Sequence, residues 1–210
     1  SISRPVGMVE FYQGDERLEV MHDEHADDWR PHMLHTEYYV QGGGHISQDM
    51  CVDGNVAVAR LNITGLADGV TARVVGRPIS GEGTGEPEMS DGAVSQGFSS
   101  GGSELTQAVA VKGSEAWDAT EEGYQASVDA GGDTVLTIAA TIDPDAAAAR
   151  ESVTAEVASG DAFDRAEQRW ADFFSEVLPR LSCPDAHLMD IFYMTGYVMW
   201  ADRYDLPEVG

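Results

Sequence analysis

Val56-Ala57-Val58-Ala59-Arg60-Leu61-Asn62-Ile63, led in by Asp53-Gly54-Asn55, decides how the N-terminal part of the chain is read. Apolar and smaller or polar positions nearly alternate, the period of a half-buried strand. Gly and Asn accept positive φ cheaply, so the tripeptide before it is a hairpin turn signal. Outward from this point the same text recurs. Val6–Tyr12, Thr36–Val40, Val70–Val75, Leu105–Val111 and Thr134–Ile142 are further short segments rich in Val, Thr, Tyr and Ile. Ala67-Asp68-Gly69 and Ala130-Gly131-Gly132-Asp133 punctuate them. Many short strands at this spacing predict an antiparallel β-sandwich over residues 1–143, with Ser80–Gly92 and Ser99–Glu104 as surface loops.

After Asp143-Pro144 the period changes. Asp145–Ala158 is rich in alanine and glutamate, a strong helix former with weak amphipathicity. Asp161 is placed to cap a second helix, in which Phe163, Ala166, Trp170, Phe173, Phe174 and Val177 recur at i, i+3, i+4 spacing, with Pro179 ending it. Pro184-Asp185 opens a third helix, ended by Leu206-Pro207, whose apolar positions lie nearly all round. Asp190, Asp202 and Arg203 disfavour a membrane element, so it reads as the inner helix of a larger assembly. The expected organisation is a sandwich at 1–143, a linker helix at 144–160, and the first helices of a helical toroid at 161–210. Three helices do not cover that much aromatic surface, and an exposed patch of that size is an interface or a liability. The expectation is therefore a piece of a longer protein, or a subunit whose residues 161–206 pack against a partner chain.

Composition constrains the setting. There are 37 Asp+Glu against 12 Lys+Arg, a net charge of −25, and Lys112 is the only lysine. In dilute buffer such self-repulsion opposes the compact state, whereas at molar salt the screening length falls to about 3 Å. Scarce lysine also removes apolar stems from a surface where salting-out strengthens apolar contacts. Acidic pairs such as Asp15-Glu16, Asp27-Asp28 and Glu121-Glu122 are spread along the chain, not gathered in a tail. This is the composition of a protein built for very high salt. It argues against nucleic-acid or anionic-membrane partners, and no apolar run reaches the roughly 18 residues of a membrane span. The N-terminus shows no signal-peptide apolar region, a processed chain would lack one too, and localisation stays open between cytoplasm and secretion.

The segment Phe163-Asp164-Arg165-Ala166-Glu167-Gln168-Arg169-Trp170-Ala171-Asp172-Phe173-Phe174, followed by Leu178-Pro179-Arg180-Leu181, Asp185-Ala186-His187-Leu188 and Tyr193-Met194-Thr195-Gly196-Tyr197, resembles the entry to the catalytic toroid of the six-hairpin glycoside hydrolases. That group includes glycogen-debranching enzymes, glucoamylases and trehalases. The resemblance covers about residues 145–205, and the β region fits the family's N-terminal super-sandwich more loosely. It implies carbohydrate as substrate, no cofactor, and an (α/α)₆ barrel of which only the first helices are present. The family's catalytic acid and base act from either side of the scissile bond. Both lie on later barrel loops, so no residue here is assigned either role. A carbohydrate-binding or surface-interaction sandwich with a helical docking tail is the rival reading. A polysaccharide lyase of similar parts is a third, although lyases usually place the helices first.

Five of six histidines, His22, His25, His32, His35 and His45, crowd among Asp23, Glu24, Asp27, Asp28 and Glu37. No His-Glu-x-x-His pattern accompanies them, and no metal is expected. The candidate substrate-binding residues are Trp29, Arg30, His32 and His35, because aromatic faces stack on sugar rings while Arg and His donate to hydroxyls. Gln41-Gly42-Gly43-Gly44-His45 lacks a phosphate loop's Gly-Lys-Ser/Thr and reads as a flexible turn. Cys51 and Cys183 either pair or, as the simpler reading, are two small buried thiols. Trp170, Phe173 and Phe174 are expected to be packing, and Trp200 and Tyr204 read first as core, with a central cavity as the alternative they could face. Asn62-Ile63-Thr64 fits the N-glycosylation pattern, which also arises by chance.

Overall fold

The structure, a computed structural model, describes residues 8–23, 26–76, 85–90, 92–114, 116–121, 123–178 and 182–201. Among these residues fourteen strands precede the helices: β1 Met8–Gln13, β2 Glu16–Arg17, β3 Val20–His22, β4 Asp28–Arg30, β5 Met33–Val40, β6 Gly44–Asp53, β7 Val56–Leu66, β8 Val70–Gly76, β9 Glu88–Ser90, β10 Ala93–Ser100, β11 Ser103–Val111, β12 Trp117–Thr120, β13 Gly123–Asp129 and β14 Gly132–Asp143. They form two antiparallel sheets. The smaller runs β12-β13-β8-β1-β2, and the larger runs β3-β5-β6-β7-β14-β11-β10-β9, with β4 also pairing with β5. Outer strands β2, β3, β4 and β9 are only two or three residues long, which limits the edge available to other chains.

The sheets face each other across an apolar core. Phe11, Val70, Val74 and Tyr124 come from the small sheet, and Ile46, Leu61, Ile63, Val94, Val109 and Leu136 from the large one. Tyr124 lies over Gly76, where a Cβ would fall 1.7 Å from its ring, so only glycine fits there. Its hydroxyl accepts from Gln107 Nε2 at 2.8 Å, and burial pushes its pKa up to about 12.

The first two helices form a third layer on the other face of the large sheet, and the third packs on the second and the turn that follows it. The first, α1, spans Ala146–Ser159. Asp145 caps it by accepting from the N–H groups of Ala147 and Ala148, and Gly160 closes it at φ +72°. Its buried Ala149 and Val153 rest on Ala93, Ala108, Ala110 and Ala139 of the sheet, all at most 1% exposed. Small residues on both surfaces allow close approach, so this helix needs no large apolar stripe to dock.

Helix α2, Ala162–Asp172, buries Phe163, Ala166 and Trp170, and it widens into a π-helical turn at Phe173–Val177. Asp161 sits at its N-cap position but makes no side-chain bond to the helix backbone. Its carboxylate pairs instead with Arg165. The third helix, α3, Ala186–Ala201, is capped by Asp185, which accepts from the N–H groups of His187 and Leu188. Gly196 lets it pack on Leu178, since a Cβ there would come within 2.7 Å of Leu178 Cδ1.

The chain is thus mainly antiparallel β followed by three helices, as its sequence predicts. Several expectations need correction. The Val56–Ile63 strand is buried on both faces: Val56 and Val58 lie under the helices, Leu61 and Ile63 inside the sandwich. Gly44-His45 opens β6, which lies between β5 and β7, and position 44 needs glycine because a side chain there would strike Leu66 Cδ2 at 2.2 Å. Ser99–Glu104 is a hairpin joining β10 to β11 through Gly101-Gly102, both at positive φ. In the expected Ser80–Gly92 loop, Glu88–Ser90 forms β9, while 80–84 and Asp91 lie outside the described residues. So do the helix terminators at Pro179 and Leu206-Pro207, and residues 6–7 of the first predicted strand.

Candidate functional site

Two hairpin tips meet at one end of the large sheet. Arg30 pairs with Met33, so Pro31-His32 is a two-residue turn between β4 and β5. Asp53 pairs with Val56, so Gly54-Asn55 is a two-residue turn between β6 and β7, with Gly54 at φ +61°. Leu34 lies opposite Met50, which brings the start of β5 beside the end of β6. The helical layer closes against the same end. Arg169 donates from Nη1 to Asp53 Oδ1 at 2.9 Å and from Nη2 to the Val52 carbonyl at 2.6 Å.

Between these elements lies a cleft of about 760 Å³. Trp29, Arg30, Pro31 and His32 of the first hairpin line it, with Met33, Leu34, Met50, Cys51 and Val52 from β5 and β6. Arg169 and Trp170 of α2 and Tyr197 of α3 also line it, with Gly54 and small or apolar residues of β7 and β14 making up the rest. Trp29 stands edge-on to Tyr197 with centroids 4.7 Å apart, and Tyr197 lies 4.8 Å from Trp170. Trp29 is 44% exposed whereas Trp170 is 8% exposed, so one indole is presented to solvent and the other is held by the core. Phe173 and Phe174 back Trp170 at 5.7 and 5.9 Å. Arg30 is fixed by donating from Nε to Asp28 Oδ2 at 3.0 Å.

Three of the four residues singled out from sequence therefore share one cleft. His35 does not line it. Two positions past Met33, it shares a face of β5 with that cleft residue but lies further from the hairpin tip. There its Nδ1 lies 2.8 Å from Asp49 Oδ1, its Nε2 2.8 Å from Glu37 Oε1, and Arg60 Nη2 donates to Asp49 Oδ2 at 3.1 Å. Glu37 Oε2 in turn is 2.6 Å from His45 Nε2. The bond to Asp49 chiefly raises the pKa of His35; burial opposes the rise and Glu37 adds to it. Burial works to raise the pKa of Asp49, but the bonds from His35 and Arg60 outweigh it and hold that carboxyl below its ordinary value. The histidine-rich segment thus builds a charge network on a sheet face. His22 belongs to a separate pair with Asp27, and His25 lies outside the described residues.

Arg169, Trp170 and Tyr197 are not found by local reading, because they reach the cleft from far along the chain. The W-x-x-F-F helix pattern gives Trp170 as packing, and it is that as well as wall. The side chain of Trp200, and Tyr204, lie outside the described residues. Cys51 and Cys183 are both free, and burial pushes the Cys51 thiol up to about 11, so it is a poor nucleophile at neutral pH. No group of His, Cys, Asp and Glu able to hold a metal ion occurs among the described residues, and no described helix is long and apolar enough to cross a membrane. No family model matches the chain, and no curated protein matches it.

Proposed function

We propose that this chain is the non-catalytic N-terminal portion of a glycoside hydrolase working at high salt, acting on α-glucosidic or related linkages, with the catalytic carboxylates outside residues 1–210. The observation that carries the reading is the cleft at the hairpin tips. Aromatic rings offer flat apolar faces to the C–H side of a pyranose, while Arg30 and His32 stand beside them as hydrogen-bond donors. The order of sandwich, alanine-rich helix and aromatic helices supports it, as does the resemblance of residues 163–197 to a toroid entry. Isothermal titration in molar KCl tests the reading with maltotetraose and with tetrasaccharides of other linkages. Saccharide binding without hydrolysis of maltose, trehalose or p-nitrophenyl glycosides is the expected result. Turnover by the purified chain, or no saccharide binding by the folded chain, contradicts it.

The second reading, a carbohydrate-binding or surface-interaction module with a helical docking tail, draws on α3. Leu188, Ile191, Met194 and Val198 form a stripe on it, each close to half exposed. Both readings give residues 161–206 a partner surface. In the first it is the remaining barrel, and in the second another chain. Sedimentation of the chain with the downstream coding region, if that region encodes further amphipathic helices, separates them: a stable complex supports the hydrolase.

A further inference from the structure

We infer that the saccharide taken by this cleft is anionic, an oligosaccharide carrying uronate carboxylates, an inference that rests on the saccharide reading above. The chain carries 37 acidic residues, yet among the described residues none that lines the cleft is an aspartate or glutamate. Of its 12 basic residues, two arginines, Arg30 and Arg169, do line it, and His32 stands at the same turn. The charged side chains on the wall are thus arginines, each paired with one carboxylate, Asp28 or Asp53, that is not itself part of the lining. A site for neutral sugars ordinarily needs acceptors as well as donors, because each hydroxyl both gives and accepts hydrogen bonds. Among the described residues this wall offers guanidinium, imidazole, indole and phenol groups set in apolar surface and no side-chain carboxylate, amide or aliphatic hydroxyl, so its side-chain donors outnumber its acceptors.

Both guanidiniums already hold a carboxylate, which shows that the geometry suits one. Asp28 takes Nε and Nη2 of Arg30, and Asp53 takes Nη1 of Arg169. A guanidinium has five N–H donors in a planar fork, so one carboxylate does not exhaust it. Trp29, the exposed indole, supplies the stacking surface, and a uronate stacked on it turns its carboxylate toward the neighbouring Arg30. Charge-assisted bonds of this kind retain directionality even where salt screens the longer-range attraction.

The test compares tetragalacturonate with maltotetraose in molar KCl, using isothermal titration of the full chain and of Arg30→Gln and Trp29→Ala variants whose circular dichroism matches the parent. The expected result is binding of tetragalacturonate tighter by about tenfold or more. Arg30→Gln brings the two ligands to within about threefold of each other, and Trp29→Ala weakens both. Equal affinity, or preference for maltotetraose, overturns the anionic assignment and leaves the saccharide reading standing. Binding of neither sugar by the folded parent overturns both.

Discussion

Arg165 Nε donates to Asp53 Oδ2 at 2.6 Å across a sequence separation of 112 residues, joining α2 to the turn between β6 and β7. The same guanidinium reaches both oxygens of Glu156 and pairs with Asp161. One cation thus holds together three carboxylates from the sheet, α1 and the start of α2. Arg165→Ala removes the cation from Glu156 and Asp161 and leaves Asp53 with Arg169. The side chain is 42% exposed, so the loss is below that of a fully buried pair, about 1–2 kcal/mol. Urea unfolding in molar KCl measures it, and Arg165→Lys, which keeps charge but not the fork, should recover only part.

The alanine contact between α1 and the large sheet gives a second expectation. Ala139 and Ala149 are both 0% exposed in the same cluster. Ala149→Leu has no room to add three carbons, so it should cost about 1–3 kcal/mol and lower the urea midpoint. An unchanged midpoint would mean that the helix is not seated on the sheet as described.

His35 gives a pH dependence with a definite sign. Its folded pKa lies above the ordinary 6.5, so its contribution is complete below about pH 6.5 and is lost as pH rises through the raised value. Asp49 lies below its ordinary 3.8, so its contribution is present above that and is lost as pH falls through the lowered value. The difference in urea midpoint between the parent and His35→Gln should therefore be larger near about pH 5.5 than near about pH 9. A difference that grows with pH would contradict the network.

The charge of −25 gives a salt dependence. Below about 0.2 M salt the screening length exceeds roughly 7 Å, and far-ultraviolet circular dichroism should be lost on dialysis and regained on return to molar KCl. A cooperative transition that persists at low salt would count against high-salt adaptation.

Strands with regular alternation and β-branched residues were legible in the sequence, as were helices with a 3.6 period. What escaped was set by partners distant in the chain. In β6 the polar His45, Ser47 and Asp49 break the apolar pattern, and their strand is fixed by pairing with β5 and β7 on both sides. The π-helical turn at Phe173–Val177 leaves no local signature, since Phe173 and Phe174 fit the helical period as well. Within the site, Trp29, Arg30 and His32 were legible because they share one short segment. Arg169, Trp170 and Tyr197 join them only once α2 and α3 have docked. His35 was grouped with them by proximity in sequence, but it sits two residues further along β5 than Met33, where Asp49 and Glu37 hold its ring.

Titration of tryptophan fluorescence with saccharide, comparing the parent chain with Trp29→Ala in molar KCl, tests the central claim most directly, because Trp29 is the exposed indole of the cleft. The account predicts a saturable change in the parent and affinity weaker by about tenfold or more in Trp29→Ala, in line with the usual cost of losing an aromatic stacking contact. Equal affinity in the two folded proteins, or no saturable change in the parent with any saccharide tried, would contradict it.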